Sequence, residues 1–237
     1  MFHIKVKKRI LNHAQKQVEK YNFGQRGFAD GSKEQQLTGI IGQCCIAELF
    51  GEPLVDGSTG VDDGYDIEYQ GIRIDVKTMG RKLSEIKPHF VNNLLATQKN
   101  RLTDIYLFTS FNKNENILTV VGWSNKEALY RDATLYKKGS RRTRDNRTWF
   151  KTFADLYEVE TQYLAPVKSF DDLCQQLDLF SELGWTKNLN VVTKSGHKLR
   201  LLSEDILALS KNDNPSITIR LNLASANRVA DELFKNE

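Results

Sequence analysis

The sequence predicts a mixed α/β fold with a small C-terminal α+β appendage. An amphipathic helical pattern ending near Gly51 precedes a β-hairpin pattern, and further strand patterns follow as far as Pro166. After Pro166 the pattern changes to a helix, a hairpin and a final helix. We therefore divide the 237 residues into an N-terminal helix and link, a core of helices and strands, and the appendage. The predicted boundaries are 1–32, 33–168 and 169–237.

Residues 64–80, GYDIEYQGIRIDVKTMG, alternate apolar and polar side chains with the period of two that is typical of strands. Gln70-Gly71 is the natural turn, because glycine tolerates the positive φ that tight hairpins need. That turn pairs residues whose numbers sum to 141, so the two acids Asp66 and Asp75 are expected to lie opposite each other. Their Cβ atoms would then be about 4.5–5.5 Å apart.

Two opposed carboxylates repel each other, and a divalent cation is the simplest group that would offset the repulsion. Mg²⁺ binds proteins through one or two carboxylates and keeps several waters. Lys77 follows Asp75 by two residues, so it projects from the same face of the strand. Two acids, a metal and an ammonium group suit phosphodiester hydrolysis. The alternative is a solvated hairpin face with an incidental Asp–Lys pair.

Asp66, followed nine residues later by Asp75-Val76-Lys77, resembles the PD-(D/E)XK nuclease superfamily. The resemblance implies a restriction endonuclease-like core, in which helices flank a central mixed β-sheet, and it spans roughly residues 33–168. It also implies that Asp66 and Asp75 bind the metal and that Lys77 is the catalytic lysine. Tyr65 stands where the superfamily usually has a proline.

The helix before the hairpin extends the resemblance. Residues 37–54, LTGIIGQCCIAELFGEPL, indicate an amphipathic helix that stops at Gly51. Phage-type members of the superfamily carry a GxxGE…A…LG helix, and here Gln43 occupies the position of the glutamate. We expect Gln43 to be a neutral metal ligand or a group that positions water. Glu48 is the alternative third residue of the site, and we expect it instead to be the structural partner of a buried base.

The remaining patterns are assigned more simply. Polar turns and apolar alternation predict two strands within 100–124, strand structure within 149–166 and a hairpin around Ser195-Gly196. Helical periodicity predicts five further helices. Their ranges are 5–22, 89–99, 126–136, 169–183 and 224–237.

A strongly basic segment, YKKGSRRTRDNRTWFK, occupies residues 136–151. It holds seven basic residues against the single acid Asp145, a net charge of +6, and Gly139 and Ser140 favour a loop. Arginine side chains match phosphate oxygens well, so we expect the segment to bind nucleic acid. A solvated loop is the alternative. The candidate DNA contacts are Lys137, Lys138, Arg141, Arg142, Arg144 and Arg147.

The composition bears on the cellular location of the protein. The net charge of +4 is mild, and no apolar run approaches the ~20 residues of a membrane helix. The N-terminus lacks the apolar core of a signal peptide, and three cysteines form neither a disulfide framework nor a zinc motif. We therefore expect a cytoplasmic protein without a membrane partner.

The sequence thus favours a Mg²⁺-dependent DNA endonuclease, with Mn²⁺ as a substitute metal and duplex DNA as the expected substrate. A non-catalytic nucleic-acid-binding protein that retains the nuclease fold is the alternative, and an interaction scaffold ranks behind both. The recognised DNA sequence or structure, the cleavage pattern, DNA versus RNA, and a homodimer all stay open at this point.

Overall fold

The computed structural model describes residues 1–23, 31–59, 64–143 and 149–182, together with the backbone of four later strands. The chain divides into two compact units, Met1–Cys174 and Gln175–Glu237. The first unit holds the helix, the hairpin and the basic segment singled out above.

A five-stranded mixed sheet forms the centre of the first unit, in the order β1-β6-β5-β3-β2. β3 and β5 run parallel, and the other neighbouring pairs are antiparallel. The prediction of a mixed sheet with flanking helices is confirmed at this level. The strands are β1 (Phe2–Lys5), β2 (Ile67–Tyr69), β3 (Ile72–Arg81), β5 (Ile105–Asn112) and β6 (Ile117–Asn125).

Two helices precede the hairpin, α1 (Lys8–Lys20) and α2 (Lys33–Phe50). α2 begins at Ser32, whose hydroxyl accepts the Gln35 N–H while the Gln35 side chain bonds back to the Ser32 backbone. It ends at Gly51, which adopts φ 75°, as expected of a glycine helix stop. Both helices are confirmed, although β1 replaces the beginning of the predicted N-terminal helix.

The hairpin has the predicted register. Ile67 pairs with Ile74, Glu68 with Arg73 and Tyr69 with Ile72. Both turn residues take positive φ, 49° at Gln70 and 82° at Gly71, which matches the type I′ turn favoured by tight hairpins.

The predicted helix at 89–99 is wrong. The segment forms a strand, β4 (Val91–Leu95), followed by a 3₁₀ turn at Ala96–Asn100. β4 pairs antiparallel with β10 (Leu156–Glu160), and the Asn92 amide donates a 3.1 Å hydrogen bond to Thr161. Asn92 and Leu94 are both buried while their neighbours are more exposed, which is the alternation of a strand. Because Asn92 is polar, the sequence does not show this alternation as a pattern of apolar and polar residues.

A second sheet, β4-β10-β7, covers one face of the central sheet. Between the sheets lies an apolar cluster that includes Tyr106, Phe108, Leu129 and Val159. The predicted strands within 100–124 are confirmed, and the helix at 126–136 is shorter than predicted. The remaining elements are α3 (Lys126–Asp132), β7 (Thr134–Tyr136), β8 (Arg141–Thr143) and β9 (Trp149–Lys151).

The second unit contains most of α4 (Phe170–Glu182) and a four-stranded antiparallel sheet. The helix is confirmed, and β11 pairs with β12 as a hairpin whose tip, Ser195-Gly196, lies outside the described residues. The last two strands were not predicted, and the predicted helix at 224–237 also lies outside the described residues. The four strands are β11 (Val191–Val192), β12 (His197–Ser203), β13 (Ile206–Lys211) and β14 (Asn214–Arg220).

Candidate functional site

Asp66 lies one residue before β2 and is held by hydrogen bonds from two N–H groups. The Gln43 side-chain amide donates to Asp66 Oδ1 at 2.8 Å, and the Val76 backbone N–H donates to Oδ2 at 2.7 Å. The described pairing of β2 with β3 stops at Ile67, so the Asp66 carboxylate takes a β3 N–H that lies beyond the last paired residues. These bonds fix the direction of the carboxylate at the end of the hairpin.

Asp75 lies within β3 and is buried, with 4% of its surface exposed. The Lys77 ammonium donates to Asp75 Oδ1 and forms an ion pair with it. In the parallel register, Asp75 and Lys77 stand beside Tyr106 and Phe108 of β5. Residues in register on neighbouring strands share a face, so the acid and the lysine lie on the face that carries the apolar cluster.

The charge balance differs from the sequence-based argument. We expected opposed carboxylates whose repulsion called for a cation. Instead, Asp75 is paired with Lys77, and Asp66 receives N–H donors from Gln43 and Val76. Both acids are thus stabilised by the protein itself, so repulsion alone gives no reason for a metal. A metal site must be argued from the donor groups that the hairpin brings together.

Gln43 and Glu48 have different partners in the structure. Gln43 contacts Asp66, whereas Glu48 forms ion pairs with Lys7, at 3.0 Å, and with Arg9. The expectation that Glu48 partners a base is confirmed, but the base is not buried, since both basic side chains are more than half exposed. They come from the start of α1, so Glu48 links α1 to α2.

Close contact between α2 and β3 brings Gln43 to the hairpin. A Cβ built on Gly42 would lie 2.9 Å from both Cβ and Cγ2 of Thr78, and closer still to its hydroxyl oxygen. The Thr78 hydroxyl receives a 2.9 Å hydrogen bond from Thr109 of β5. Only glycine fits at position 42 without moving the helix or the strand.

Three tyrosines that contact one another in series were missed from the sequence, and the first of them, Tyr106, is the β5 register partner of Asp75. The Tyr106 and Tyr130 hydroxyls are 2.9 Å apart, and the Tyr130 and Tyr157 rings pack edge to face at 4.7 Å. Burial raises the pKa of Tyr130 to about 12, and the charge of Asp75 adds to the rise. Burial likewise raises the pKa of Tyr106. Both phenols therefore stay neutral at physiological pH. The register of β3 against β5, which the sequence does not show, is what places Tyr106 beside Asp75.

The donor set is suitable for a hard divalent cation. Asp66 and Asp75 carry carboxylate oxygens, and Gln43, whose amide N–H bonds to Asp66, also carries an amide oxygen. No group of three or more histidine, cysteine, aspartate or glutamate side chains fit to bind a metal occurs in the part of the chain that the structure describes. Two carboxylates are nevertheless enough for Mg²⁺, which completes its coordination with water and substrate oxygens.

The basic segment forms a hairpin, β8–β9, rather than a loop alone. Arg142 bonds to the buried carboxylate of Glu158 at 2.5 and 3.0 Å, and its guanidinium lies 3.8 Å from the centre of the Tyr136 ring. Binding a phosphate there would leave Glu158 buried and unpaired, so Arg142 is better explained as a structural residue.

The other predicted DNA contacts have varied surroundings. Lys137 pairs with Asp155 at 2.9 Å, Lys138 is exposed, and Arg141 lies over the Trp149 ring at 4.8 Å. Arg144 and Arg147 fall at 144–148, outside the described residues.

Comparisons with protein-family models, with curated proteins and with solved structures found no match to this chain. The resemblance to the PD-(D/E)XK superfamily therefore depends on the residues themselves. None of the helices that the structure describes is both long enough and apolar enough to cross a membrane.

Proposed function

We propose that this chain is a Mg²⁺-dependent nuclease that hydrolyses phosphodiester bonds in DNA, with duplex DNA as its substrate. The observation that carries the proposal is that one hairpin carries both acids, Asp66 bonded to Gln43 and buried Asp75 bonded to Lys77. A solvated hairpin face does not explain the burial of Asp75 or the two N–H groups directed at Asp66.

In this proposal Asp66 and Asp75 hold the metal, and Gln43 acts as a neutral ligand or positions water. When bound, Mg²⁺ supplies neutralisation of phosphate charge and lowers the pKa of a coordinated water. Mn²⁺, which also binds carboxylate and water oxygens, is the expected substitute.

Lys77 has the role of the catalytic lysine. Its ammonium carries three N–H donors, so it can keep its bond to Asp75 and still donate to a water or to a phosphate oxygen. The side chain is 17% exposed, which leaves access from solvent. Lys77 would therefore orient the attacking water or stabilise charge that develops on the phosphate.

The first test is incubation of the purified protein with plasmid, linear duplex and branched DNA, each with Mg²⁺, Mn²⁺ or EDTA. The proposal predicts cleavage of at least one DNA form with either metal and none in EDTA. Cleavage that persists in EDTA, or no cleavage of any form, would contradict it.

A non-catalytic nucleic-acid-binding protein is the second candidate. It is favoured by Gln43, which puts an uncharged side chain where the resemblance places a glutamate. This candidate predicts that the protein binds DNA without cutting it, and that Gln43→Glu creates no activity. The same incubation, followed by a gel-shift assay in EDTA, separates the two candidates.

A further inference from the structure

The β8–β9 hairpin presents two aromatic side chains to solvent. From Trp149 to Ala154, exposed residues alternate with less exposed ones. Trp149 is 56% exposed, and Phe153, two residues after the end of β9, is 84% exposed, with exposed Lys151 between them in the chain. Large aromatic side chains rarely stay this exposed in a cluster unless they bind something.

Arg141 completes this surface. It pairs with Lys151 across the hairpin, and its guanidinium lies 4.8 Å from the centre of the Trp149 ring. Exposed Lys138 lies in the turn that precedes Arg141. Among the described residues, no carboxylate forms an ion pair with these three basic side chains, whereas Lys137 is paired with Asp155. We call Lys138, Arg141, Trp149, Lys151 and Phe153 the aromatic–basic surface.

The side chains on the less exposed side of the same hairpin hold it to the rest of the first unit by hydrogen bonds. Arg142 is bound to buried Glu158. Buried Thr152 donates its backbone N–H to the Ser140 carbonyl at 3.0 Å and its hydroxyl to the Lys137 carbonyl at 2.7 Å. The exposed aromatic rings are therefore carried by an anchored backbone, which lowers the entropy lost when they bind a ligand.

We propose that the aromatic–basic surface binds single-stranded nucleic acid, with bases stacked on Trp149 and Phe153 and phosphates on the basic residues. Aromatic rings interleaved with cations match a polymer that alternates flat bases and anionic phosphates. A duplex hides its base faces in its own stack and offers only phosphates here. The choice of nucleic acid over another anionic ligand rests on the proposed nuclease function. The surface then implies that the duplex substrate also carries an unpaired segment, such as an overhang or a branch.

The test measures affinity for one labelled 20-nucleotide sequence, single-stranded and annealed, by fluorescence anisotropy in EDTA. We expect tighter binding of the single strand. Trp149→Ala and Phe153→Ala should each weaken that binding by roughly 5- to 150-fold, because base–aromatic stacking is worth about 1–3 kcal/mol per base. Trp149→Phe should retain most of the affinity. Tyr163→Ala, at a half-exposed tyrosine elsewhere, is the control and should change little.

Charge is tested separately. Arg141→Gln should reduce the slope of log affinity against log salt by about 0.7 for single strands. Equal affinity for single strand and duplex, together with no effect of Trp149→Ala, would overturn the inference. Displacement of the bound single strand by polyglutamate at equal charge concentration would also overturn it, because it would show that charge alone is recognised.

The outcome is distinguishable from that of the proposed function. Cleavage of fully paired DNA with single-strand binding that ignores both aromatic residues would overturn this inference alone. Single-strand binding that depends on Trp149 and Phe153, in a protein that never cleaves DNA, would support it while the nuclease proposal fails.

Discussion

At the scale of single residues, the Asp66 carboxylate is held by two N–H donors, one from the Gln43 side chain and one from the Val76 backbone. Period-two alternation predicted that Asp75 and Lys77 share a face, and the Gln70-Gly71 turn predicted the register, which is confirmed. The hydrogen bonds of Asp66 could not be predicted from the alternation, because they arise where the pairing of β2 with β3 stops. There the Asp66 side chain, and not a backbone carbonyl of β2, accepts the Val76 N–H. The partner of Glu48 was equally hidden, since it depends on how α1 lies against α2.

Gln43 is the first residue to test. Gln43→Ala removes one of the two N–H donors and should reduce cleavage roughly 10- to 100-fold, because a hydrogen bond to a charged group is worth about 1.5–3 kcal/mol. Gln43→Glu places a carboxylate against Asp66. It should lower the melting temperature in EDTA, while cleavage is kept and reaches half its maximum at a lower Mg²⁺ concentration.

Glu48→Gln is the matched control, since Glu48 forms ion pairs with the exposed side chains of Lys7 and Arg9 and not with the hairpin acids. It should leave the Mg²⁺ requirement unchanged. If Gln43→Ala is neutral and Glu48→Gln abolishes cleavage in a folded protein, the assignment of Gln43 is wrong.

Arg142 tests the division of the basic segment into structural and exposed cations. Arg142→Ala should lower the free energy of unfolding by about 2–4 kcal/mol, because Glu158 would stay buried without its partner. The double variant Arg142→Met/Glu158→Gln should recover part of the loss in urea unfolding experiments. Arg141→Ala, at an exposed arginine of the same segment, should change the free energy of unfolding little. If Arg142→Ala changes it no more than that, Arg142 is not a structural residue and stays a candidate DNA contact.

At the scale of elements, strong periodic patterns were predicted and weak ones were not. α2, β5, β6 and the hairpin carry long apolar patterns or turn residues, and all are confirmed. The prediction failed at β4 because one of its buried positions is Asn92. The Asn92 side chain is bonded to Thr161, which is 69 residues away in the chain. A hydrogen bond over that distance leaves no local signal.

The packing of α2 on β3 is tested by two glycines of one helix. Gly39→Ala has no atom within 4 Å of the new methyl group and should stabilise the protein by about 0.5–1 kcal/mol. Gly42→Ala should instead destabilise it by about 1–3 kcal/mol and reduce cleavage, because it pushes Gln43 away from Asp66.

Thermal melting and cleavage of the two variants give the comparison. Thr78→Ala combined with Gly42→Ala should recover part of the loss, since it removes the nearest atoms. Equal effects of the two glycine substitutions would contradict the close packing.

The parallel pairing of β3 with β5 is supported by Arg73 and Asp104, which form a two-bond ion pair at 2.8 Å. Burial alone would raise the pKa of Asp104, but the hydrogen bonds from Arg73, together with the charges of Arg73 and Lys126, outweigh burial and lower the pKa. A lowered pKa means that the pair stabilises the fold above the ordinary pKa of 3.8, and that this contribution is lost as the pH falls through the folded value.

Asp104→Asn should therefore destabilise the protein by about 1–2 kcal/mol at pH 7, and the difference from wild type should shrink below pH 3.8. Urea unfolding at pH 7, 5 and 3 measures it. Asp155→Asn is the control: the pKa of Asp155 is also lowered, by Lys137, but this acid is more exposed and should cost less. A difference for Asp104→Asn that is independent of pH would contradict the account.

At the scale of the whole molecule, the sequence indicated a change of organisation after the core. The two units divide between Cys174 and Gln175, within α4, whereas the predicted core ends at residue 168. Phe170 packs against Phe50 with ring centres 5.0 Å apart, so the first turn of α4 belongs with the first unit. β13 was not predicted because its run of four apolar residues fits a helix as well as a strand, and β14 was not predicted because its short alternating stretch follows a proline.

The central claim is that the hairpin acids and Lys77 make a metal-dependent nuclease. Cleavage of a DNA form by wild type, Asp75→Asn and Lys77→Ala, at equal folded concentration in Mg²⁺, tests it most directly. We predict that both variants lose cleavage, that Asp75→Asn still binds DNA, and that Lys77→Ala still binds Mg²⁺ by calorimetry. Cleavage by either variant at the wild-type rate would contradict the claim.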